Sequence, residues 1–273
     1  MAGSGRTGYR GMTVSLEVVP RNREALISGA SAAGEFSAIG FINVPDLLRF
    51  SIRSWEACGM LAGAGHEGPG IPGSREPALM PHMPHLRAVD FDLDMPFPHI
   101  EYFRALGISR VLVIAGDPPA PGAPPVRPIY LTGTVPFIKK LKAEMPELEV
   151  YAAFDPYRTN IRYELDYLAA KVDAGAEGFF SQPFFDLRLL EIYAEYLTGK
   201  RVFWGVSPVL SPANRNYWES RNRAVFPKAF RADLSWNVDF GRRVLEFCKT
   251  NGFNLYLMPI KMDLRAYLSG IFG

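Results

Sequence analysis

The chain has few of the features that mark secreted, membrane-bound or nucleic-acid-binding proteins. Its 273 residues include two cysteines, Cys58 and Cys248, which predicts small buried thiols in a reducing compartment and no disulfide framework. No run approaches the roughly 20 consecutive apolar residues of a membrane span, and the first residues lack the apolar core of a signal peptide. Because the formal net charge is +2 and Lys and Arg are scattered, we expect no nucleic-acid or membrane partner. A soluble, cytoplasmic protein is the resulting expectation.

Two apparent binding motifs also lack the context that they need. G-x-G-x-x-G strings occur at 3–8 and 63–68, but neither has the preceding strand and following helix that a dinucleotide site requires. His82 and His85 are three residues apart, yet Pro84 lies between them and neither cysteine stands in a C-x-x-C pair. We therefore predict no metal site.

What the sequence does contain is a series of eight short apolar runs, each ending in a polar or small residue. Such continuous runs are typical of strands that are buried on both faces of a parallel sheet. Alternation with helical stretches over this length predicts one (β/α)8 TIM barrel at 13–273, preceded by a flexible tail at 1–12. The runs lie at 13–17, 36–43, 85–90, 110–117, 150–155, 178–182, 202–207 and 254–261.

Helices and loops are predicted between these runs. Apolar spacing of three and four residues, together with Gly and Pro at the ends, predicts helices at 46–56, 98–106, 135–142, 161–173, 187–197, 237–249 and 263–268. The stretches 63–84 and 118–128 are dense in Gly or Pro and are predicted to be long loops, the second being the better candidate for a lid. The role of 211–236 stays open.

The carboxyl ends of barrel strands carry the site, and here they carry polar side chains at Glu17, Asn43, Asp117, Gln182 and Lys261. In a barrel mouth, desolvation would raise the pKa of Glu17 and make it a usable general acid. The alternative is a strand-end glutamate that pairs with a nearby base. Asp117 is either a ligand contact or a turn residue. Gln182 suits the amide edge of a heterocycle, or it is a core residue that bonds the backbone.

Several segments, taken in order, resemble methylenetetrahydrofolate reductase. Ser15-Leu16-Glu17-Val18-Val19-Pro20 is similar to the family's S-F-E-F-F-P strand, and Pro84-His85-Leu86 to its P-H-L strand. The segment from Gly107 to Pro119 is similar to G-I…L-R-G-D-x-P, and Ala152-Ala153-Phe154 to A-A-Y. The most specific match runs from Lys171 to Asp186 and resembles K-V-D-A-G-A…T-Q-F-F-F-D.

This resemblance implies an enzyme of one-carbon metabolism and methionine biosynthesis. It would interconvert 5,10-methylene- and 5-methyltetrahydrofolate, with FAD carrying hydride from NAD(P)H. Glu17 would be the general acid and Asp117 would tune the hydride donor, while Asn43, Gln182, Phe184 and Lys261 would bind the reduced folate. The implied flavin contacts are His85, Ala115, Gly116, Asp117, Tyr130, Phe154, Arg158, Glu164, Tyr167 and Lys171.

The chain departs from the family where flavin phosphates are held. Ala115 replaces an arginine, and Tyr167 and Ala170 stand where the family has Asn and Arg. Either Arg158, Arg162 or another base substitutes, or flavin binds weakly, or nicotinamide donates hydride directly. A folate-dependent methyltransferase and a non-catalytic barrel are the competing functions. The sequence leaves open the choice between NADH and NADPH, the direction of reaction and whether the protein forms a homo-oligomer.

Overall fold

Eight parallel strands close into a barrel in chain order. The computed structural model describes residues 11–63, 80–117, 127–260 and 262–273. Strand β1 pairs with both β2 and β8, with Leu16 opposite Leu257 in the closing pair. This closure confirms the predicted (β/α)8 barrel. The strands are β1 Val14–Glu17, β2 Ile39–Val44, β3 His82–Arg87, β4 Arg110–Ile114, β5 Glu149–Phe154, β6 Gly178–Pro183, β7 Val202–Val206 and β8 Asn254–Leu257.

Helices surround the barrel, and most of them begin at a side chain that caps the first turn. Asn160, for example, accepts from the backbone N–H of Tyr163, and Asp233 accepts from that of Trp236. None of the helices in the described ranges is long and apolar enough to cross a membrane. The helices are α1 Arg23–Gly34, α2 Ser54–Ala62, α3 Ile100–Leu106, α4 Thr134–Glu144, α5 Ile161–Asp173, α6 Leu187–Tyr196, α7 Pro212–Asn222, α8 Leu234–Asn251 and α9 Leu264–Phe272, with a 3₁₀ turn at Ala88–Asp90.

Alternation along each strand divides the core into two layers. One set of side chains packs outward against the helices, and this layer also buries the free thiols of Cys58 and Cys248. The other set fills the barrel. In its centre the rings of Phe180 and Phe203 stack at 4.2 Å, and the ring of Tyr256 meets Phe180 edge-on at 5.2 Å. The inner set is Phe41, Met83, Leu112, Tyr151, Phe180, Phe203, Tyr256 and Met258.

Three local predictions differ from the structure. The helix predicted at 46–56 is wrong over most of its length, because 47–52 forms turns and α2 begins only at Ser54. Buried Asp46 holds these turns by accepting a bond from Arg53. Strand β3 begins three residues before its predicted start and includes Pro84. Helices α1 and α7 were not predicted. The domain bounds 1–12 and 13–273 stay a prediction, since 1–10 lie outside the described residues.

Candidate active site

Glu17 is the last residue of β1, and its carboxylate is half-buried in the barrel mouth. The hydroxyl of Tyr256, on the neighbouring strand β8, donates a hydrogen bond to Glu17 Oε2. Closure of β1 against β8 brings the two side chains together across 239 positions of sequence. Tyr256 was not among the predicted site residues. The sequence signal that could have identified it is a tyrosine at a position of the last strand whose side chain points into the barrel.

Burial sets the ionisation of Glu17. It raises the pKa of the carboxyl from 4.5 to about 7, while the Tyr256 hydroxyl and the positive charge of Arg49 act in the opposite direction. Glu17 is therefore divided between its acid and its carboxylate forms near neutral pH. The sequence predicted this direction, but it did not predict the contribution of the exposed Arg49, which lies in the turns after β2.

Asn43 lies directly beside Glu17, since the two residues are in register between β1 and β2. Its side chain is buried, and Nδ2 donates to the hydroxyl of Ser15. Its Oδ1 is shielded from solvent and has no hydrogen-bond partner among the described residues. Buried polar atoms of this kind are rare in folded proteins.

Gln182 and Phe184 lie in different layers, although they are two residues apart. Gln182 follows the inward Phe180 by two positions and is exposed, so its amide reaches the mouth. Phe184 is fully buried in the outer layer, where its ring lies 5.7 Å from the rings of Tyr193 and Trp204. The structure thus brings Gln182, but not the Phe184 ring, to the side of the barrel that carries Glu17.

The ends of β3 and β4 carry the next predicted group. His85 is buried, and desolvation lowers its pKa to about 3, which keeps the imidazole neutral. Its Nε2 has no partner among the described residues. Asp117 is exposed, and its backbone oxygen accepts a 3.0 Å bond from the buried Arg87. Gly116 has a φ of +90°, and a Cβ there would lie 2.6 Å from Val89.

Behind this group lies a buried ionic network that sequence reasoning missed. Asp46 accepts bonds of 2.9 Å from both Arg53 and Arg127, and its side chain has no exposed surface. Asp90 accepts from the same two guanidinium groups at 2.6 and 3.3 Å. Arg87 adds a third cation at 3.8 Å from Asp90. The network joins segments from β2 to beyond β4, and no local pattern in the sequence reveals it.

A second charged group lies between the end of β5 and α5. Glu164 is fully buried and accepts a 2.7 Å bond from Arg158, whose side chain remains 44% exposed. Lys171 donates to the backbone oxygen of Ala153 at 2.6 Å, and burial lowers its pKa to about 8. Its ammonium lies 4.2 Å from the ring of Tyr167. Four of the predicted cofactor contacts are thus brought into one cluster.

Some of the remaining predicted residues lie at the mouth of the barrel, and others do not. Ala115 is exposed at the end of β4, and the backbone N–H of Tyr130 bonds the oxygen of Val89 at 2.8 Å. Phe154 is buried in the outer layer. Lys261 lies outside the described residues, as does most of the second predicted loop. Within the described ranges, no three His, Cys, Asp or Glu side chains converge as metal ligands do.

Comparison with models of protein families finds a match to the middle of the chain. The family model described as methylenetetrahydrofolate reductase matches residues 75–235, which is more than half of the chain. The match includes His85, Asp117, Gln182 and the cluster around Glu164. Glu17, Asn43 and Tyr256 lie outside it. No curated protein sequence has significant similarity to this chain.

Solved structures share the fold at low sequence identity. One is an uncharacterized protein from Clostridium thermocellum that binds two copies of 5-methyl-5,6,7,8-tetrahydrofolic acid; its TM-score is 0.58 at 11% identity, covering 95% of this chain and 92% of that one. Another is oxaloacetate acetylhydrolase with the inhibitor 3,3-difluorooxalacetate, with a TM-score of 0.56 at 12% identity over 90% and 74% of the two chains. A third is 2,3-dimethylmalate lyase, at 0.51 and 15% over 91% and 84%. At these identities the likeness establishes the barrel alone.

Proposed function

Because the chain belongs to the methylenetetrahydrofolate reductase family, we propose that it interconverts 5,10-methylene- and 5-methyltetrahydrofolate by hydride transfer. The observation that carries this proposal is the half-buried Glu17 carboxyl, whose pKa of about 7 gives the mouth a proton donor at neutral pH. A barrel of the same fold that binds 5-methyl-5,6,7,8-tetrahydrofolic acid supports a reduced folate as the ligand.

Glu17 acts as the general acid in this proposal. Its proton goes to a folate ring nitrogen, the five-membered ring opens, and the resulting iminium carbon can accept hydride. A general acid works best when its pKa lies near the working pH, which is the condition that burial creates here. The Tyr256 hydroxyl holds the carboxyl in one orientation and stabilises its ionised form after the proton has left.

The pterin is bound by neutral and acidic groups around the mouth. Gln182 presents an exposed amide that can both donate to and accept from the edge of a heterocycle, and Asp117 presents an exposed carboxylate. Asn43, whose Oδ1 lacks a partner among the described residues, is in register with Glu17. We assign Lys261, at the end of the last strand run, to the glutamate carboxylate of the folate.

The residues present fit FAD. His85 Nε2 is a buried acceptor or donor that has no partner in the described part of the chain. Arg158 uses one nitrogen for Glu164 and leaves its other donors on a side chain that is 44% exposed. It can therefore meet a phosphate in place of the two arginines that Ala115 and Ala170 replace and the asparagine that Tyr167 replaces. His85, Gly116, Asp117, Tyr130, Arg158 and Lys171 would hold the group. When bound, FAD supplies a hydride carrier between NAD(P)H and the folate.

The visible absorption spectrum of the purified protein tests the cofactor assignment. We expect the absorption bands of an oxidised flavin, which NADH or NADPH should bleach. Comparison of Arg158→Gln with Arg162→Gln, an exposed neighbour on α5, tests which base holds the phosphates. Flavin retention should fall in the first variant and stay unchanged in the second. A colourless protein that nevertheless turns over folate with NAD(P)H would support direct hydride transfer from nicotinamide.

Replacement of the acid tests the reaction itself. We expect Glu17→Gln to lower folate turnover by at least about a hundredfold, because the hydride acceptor would no longer be protonated. NADH-to-quinone electron flow should be spared, since it needs no folate. Glu195→Gln, at an exposed position on α6, is the matched control and should leave both activities unchanged. Equal losses in the two half-reactions of Glu17→Gln would contradict the role of Glu17.

A methyltransferase that uses the same folate site is the second candidate function. It would bind folate through Asp117 and Gln182 and would need neither flavin nor nicotinamide. Folate binding without any flavin spectrum and without NAD(P)H oxidation would favour it over the reductase.

A further inference from the structure

The amino end of the barrel, opposite the mouth that holds Glu17, contains an open cavity of about 700 Å³. Its walls come from the starts of the strands and the turns before them. Its polar and charged lining residues include Arg110, Glu149, Tyr151, Lys200, Arg201 and Asn254. None of them belongs to the candidate active site.

Aromatic rings separate this cavity from the carboxyl end. Phe41 and Phe203 line its inner wall and contact each other edge-on at 5.6 Å. Phe203 stacks on Phe180, and Tyr256 closes against Phe180 on the side toward Glu17. A ligand in the amino-end cavity therefore does not touch the groups that carry the proposed reaction.

The charges in the cavity are unbalanced. Among the described residues, its lining has three cations, Arg110, Lys200 and Arg201, against the single carboxylate of Glu149. No carboxylate of the described chain lies within 4 Å of Arg110, whose guanidinium lies 5.4 Å from the centre of the Phe41 ring. The carboxylate of Glu149 is engaged by a hydroxyl, since it accepts a 3.2 Å bond from Tyr151.

Arg110, Arg201 and Tyr151 line the same cavity. Arg201 donates a 2.8 Å hydrogen bond to the Tyr151 hydroxyl. The positive charges of both arginines also lower the pKa of this hydroxyl, against the larger effect of burial and the opposing negative charge of Glu149. Neither guanidinium has a carboxylate within 4 Å among the described residues, although the negative charges of Glu149 and Glu177 also act on Arg201, so several N–H donors remain without an anionic acceptor.

We propose that this cavity binds a small anion with at least two negative charges, carried on carboxylate or phosphate groups, through Arg110 and Arg201. The planar donor fork of arginine matches both groups in pairs of hydrogen bonds. Lys200, exposed at the rim, adds a third positive charge. The binding is independent of folate turnover, because the aromatic layer lies between the two sites.

Calorimetric titration at low salt tests the proposal with two probes, citrate for carboxylates and inorganic pyrophosphate for phosphates. We expect at least one probe to bind with a stoichiometry of one, and we expect Arg110→Gln/Arg201→Gln to weaken it by at least about tenfold, since a charge-assisted bond is worth about 1.5 kcal/mol or more. Arg221→Gln, at an exposed position on α7, should have no effect. If neither probe binds, or if only Arg158→Gln abolishes binding, the proposal is wrong.

A second measurement does not depend on a variant that folds. Phenylglyoxal modifies accessible arginines, and peptide mass spectrometry can locate the modified positions. The probe that binds should protect Arg110 and Arg201 while Arg221 is still modified. Equal modification of Arg110 and Arg201 with and without the probe would overturn the assignment, whatever the calorimetric result.

Discussion

At the scale of single residues, the ionisation of Glu17 decides how activity depends on pH. Its folded pKa of about 7 means that the acid form is complete well below that pH and lost above it. If Glu17 donates the proton, kcat/KM for the folate, which reports ionisation in the free enzyme, should fall as the pH rises through about 7. The same pKa shift affects stability, because the carboxyl of the unfolded chain ionises near pH 4.5. The free energy of unfolding should therefore fall as the pH rises from 4.5 to about 7.

Tyr256→Phe tests this account through a shift of the pH–rate profile rather than a loss of activity. The hydrogen bond from Tyr256 lowers the pKa of Glu17, so its removal should raise that pKa further. A bond to a charged group is worth about 1.5 kcal/mol, which predicts that the fall in the pH–rate profile moves upward by about one pH unit.

Tyr267→Phe is the control for that variant. Tyr267 is also a fully buried tyrosine, but its hydroxyl has no hydrogen-bond partner among the described residues. Its pH–rate profile should match the wild-type profile. A downward shift in Tyr256→Phe, or equal shifts in both variants, would show that the hydroxyl of Tyr256 does not set the ionisation of Glu17.

At the scale of elements, the ionic network around Asp46 holds the turns that lead from β2 into α2. Within the described part of the chain, Asp46→Ala leaves Asp90 as the only carboxylate partner of Arg53 and Arg127, in a place where the side chain of Asp46 has no exposed surface. We expect a loss of about 3 kcal/mol in the free energy of unfolding by urea, near the lower end for a broken buried pair.

The matched comparison for that network is an exposed ion pair. Glu101 lies 3.2 Å from Arg104, with the two side chains 89% and 50% exposed. Glu101→Ala should change the unfolding free energy by less than about 1 kcal/mol. Similar effects of Asp46→Ala and Glu101→Ala in urea titrations would mean that the network around Asp46 does not hold its turns.

The same network shows where sequence reasoning stopped. The strands were predictable because each is a short apolar run, and the strand ends Glu17, Asn43 and Gln182 followed from their positions. The helix predicted at 46–56 had suitable apolar spacing, but contacts with Arg127, 81 positions away, override that local pattern. Tyr256 was missed for a related reason, since its role depends on how the barrel closes.

At the scale of the whole molecule, the barrel joins two parts of the chain that differ in their likeness to the family. The matched residues 75–235 contain β3 to β7, whereas β1, β2 and β8 lie outside. Glu17, the proposed proton donor, and Tyr256, which donates a hydrogen bond to it, are both on strands outside the match. The matched part therefore carries the predicted flavin contacts, and the remaining strands carry the predicted acid.

A fragment of 75–235 tests this division of the barrel. Without β1, β2 and β8, strands β3 and β7 become the edges of the sheet, since each loses one neighbouring strand. The ring of Phe180 also loses its contact with Tyr256. Open edges of parallel strands expose both unpaired backbone groups and apolar surface. We expect the fragment to show no cooperative urea transition by circular dichroism, whereas the full chain unfolds in one. A fragment that unfolds cooperatively and binds flavin would show that the matched segment is a folding unit by itself, and closure would then serve only to deliver Glu17.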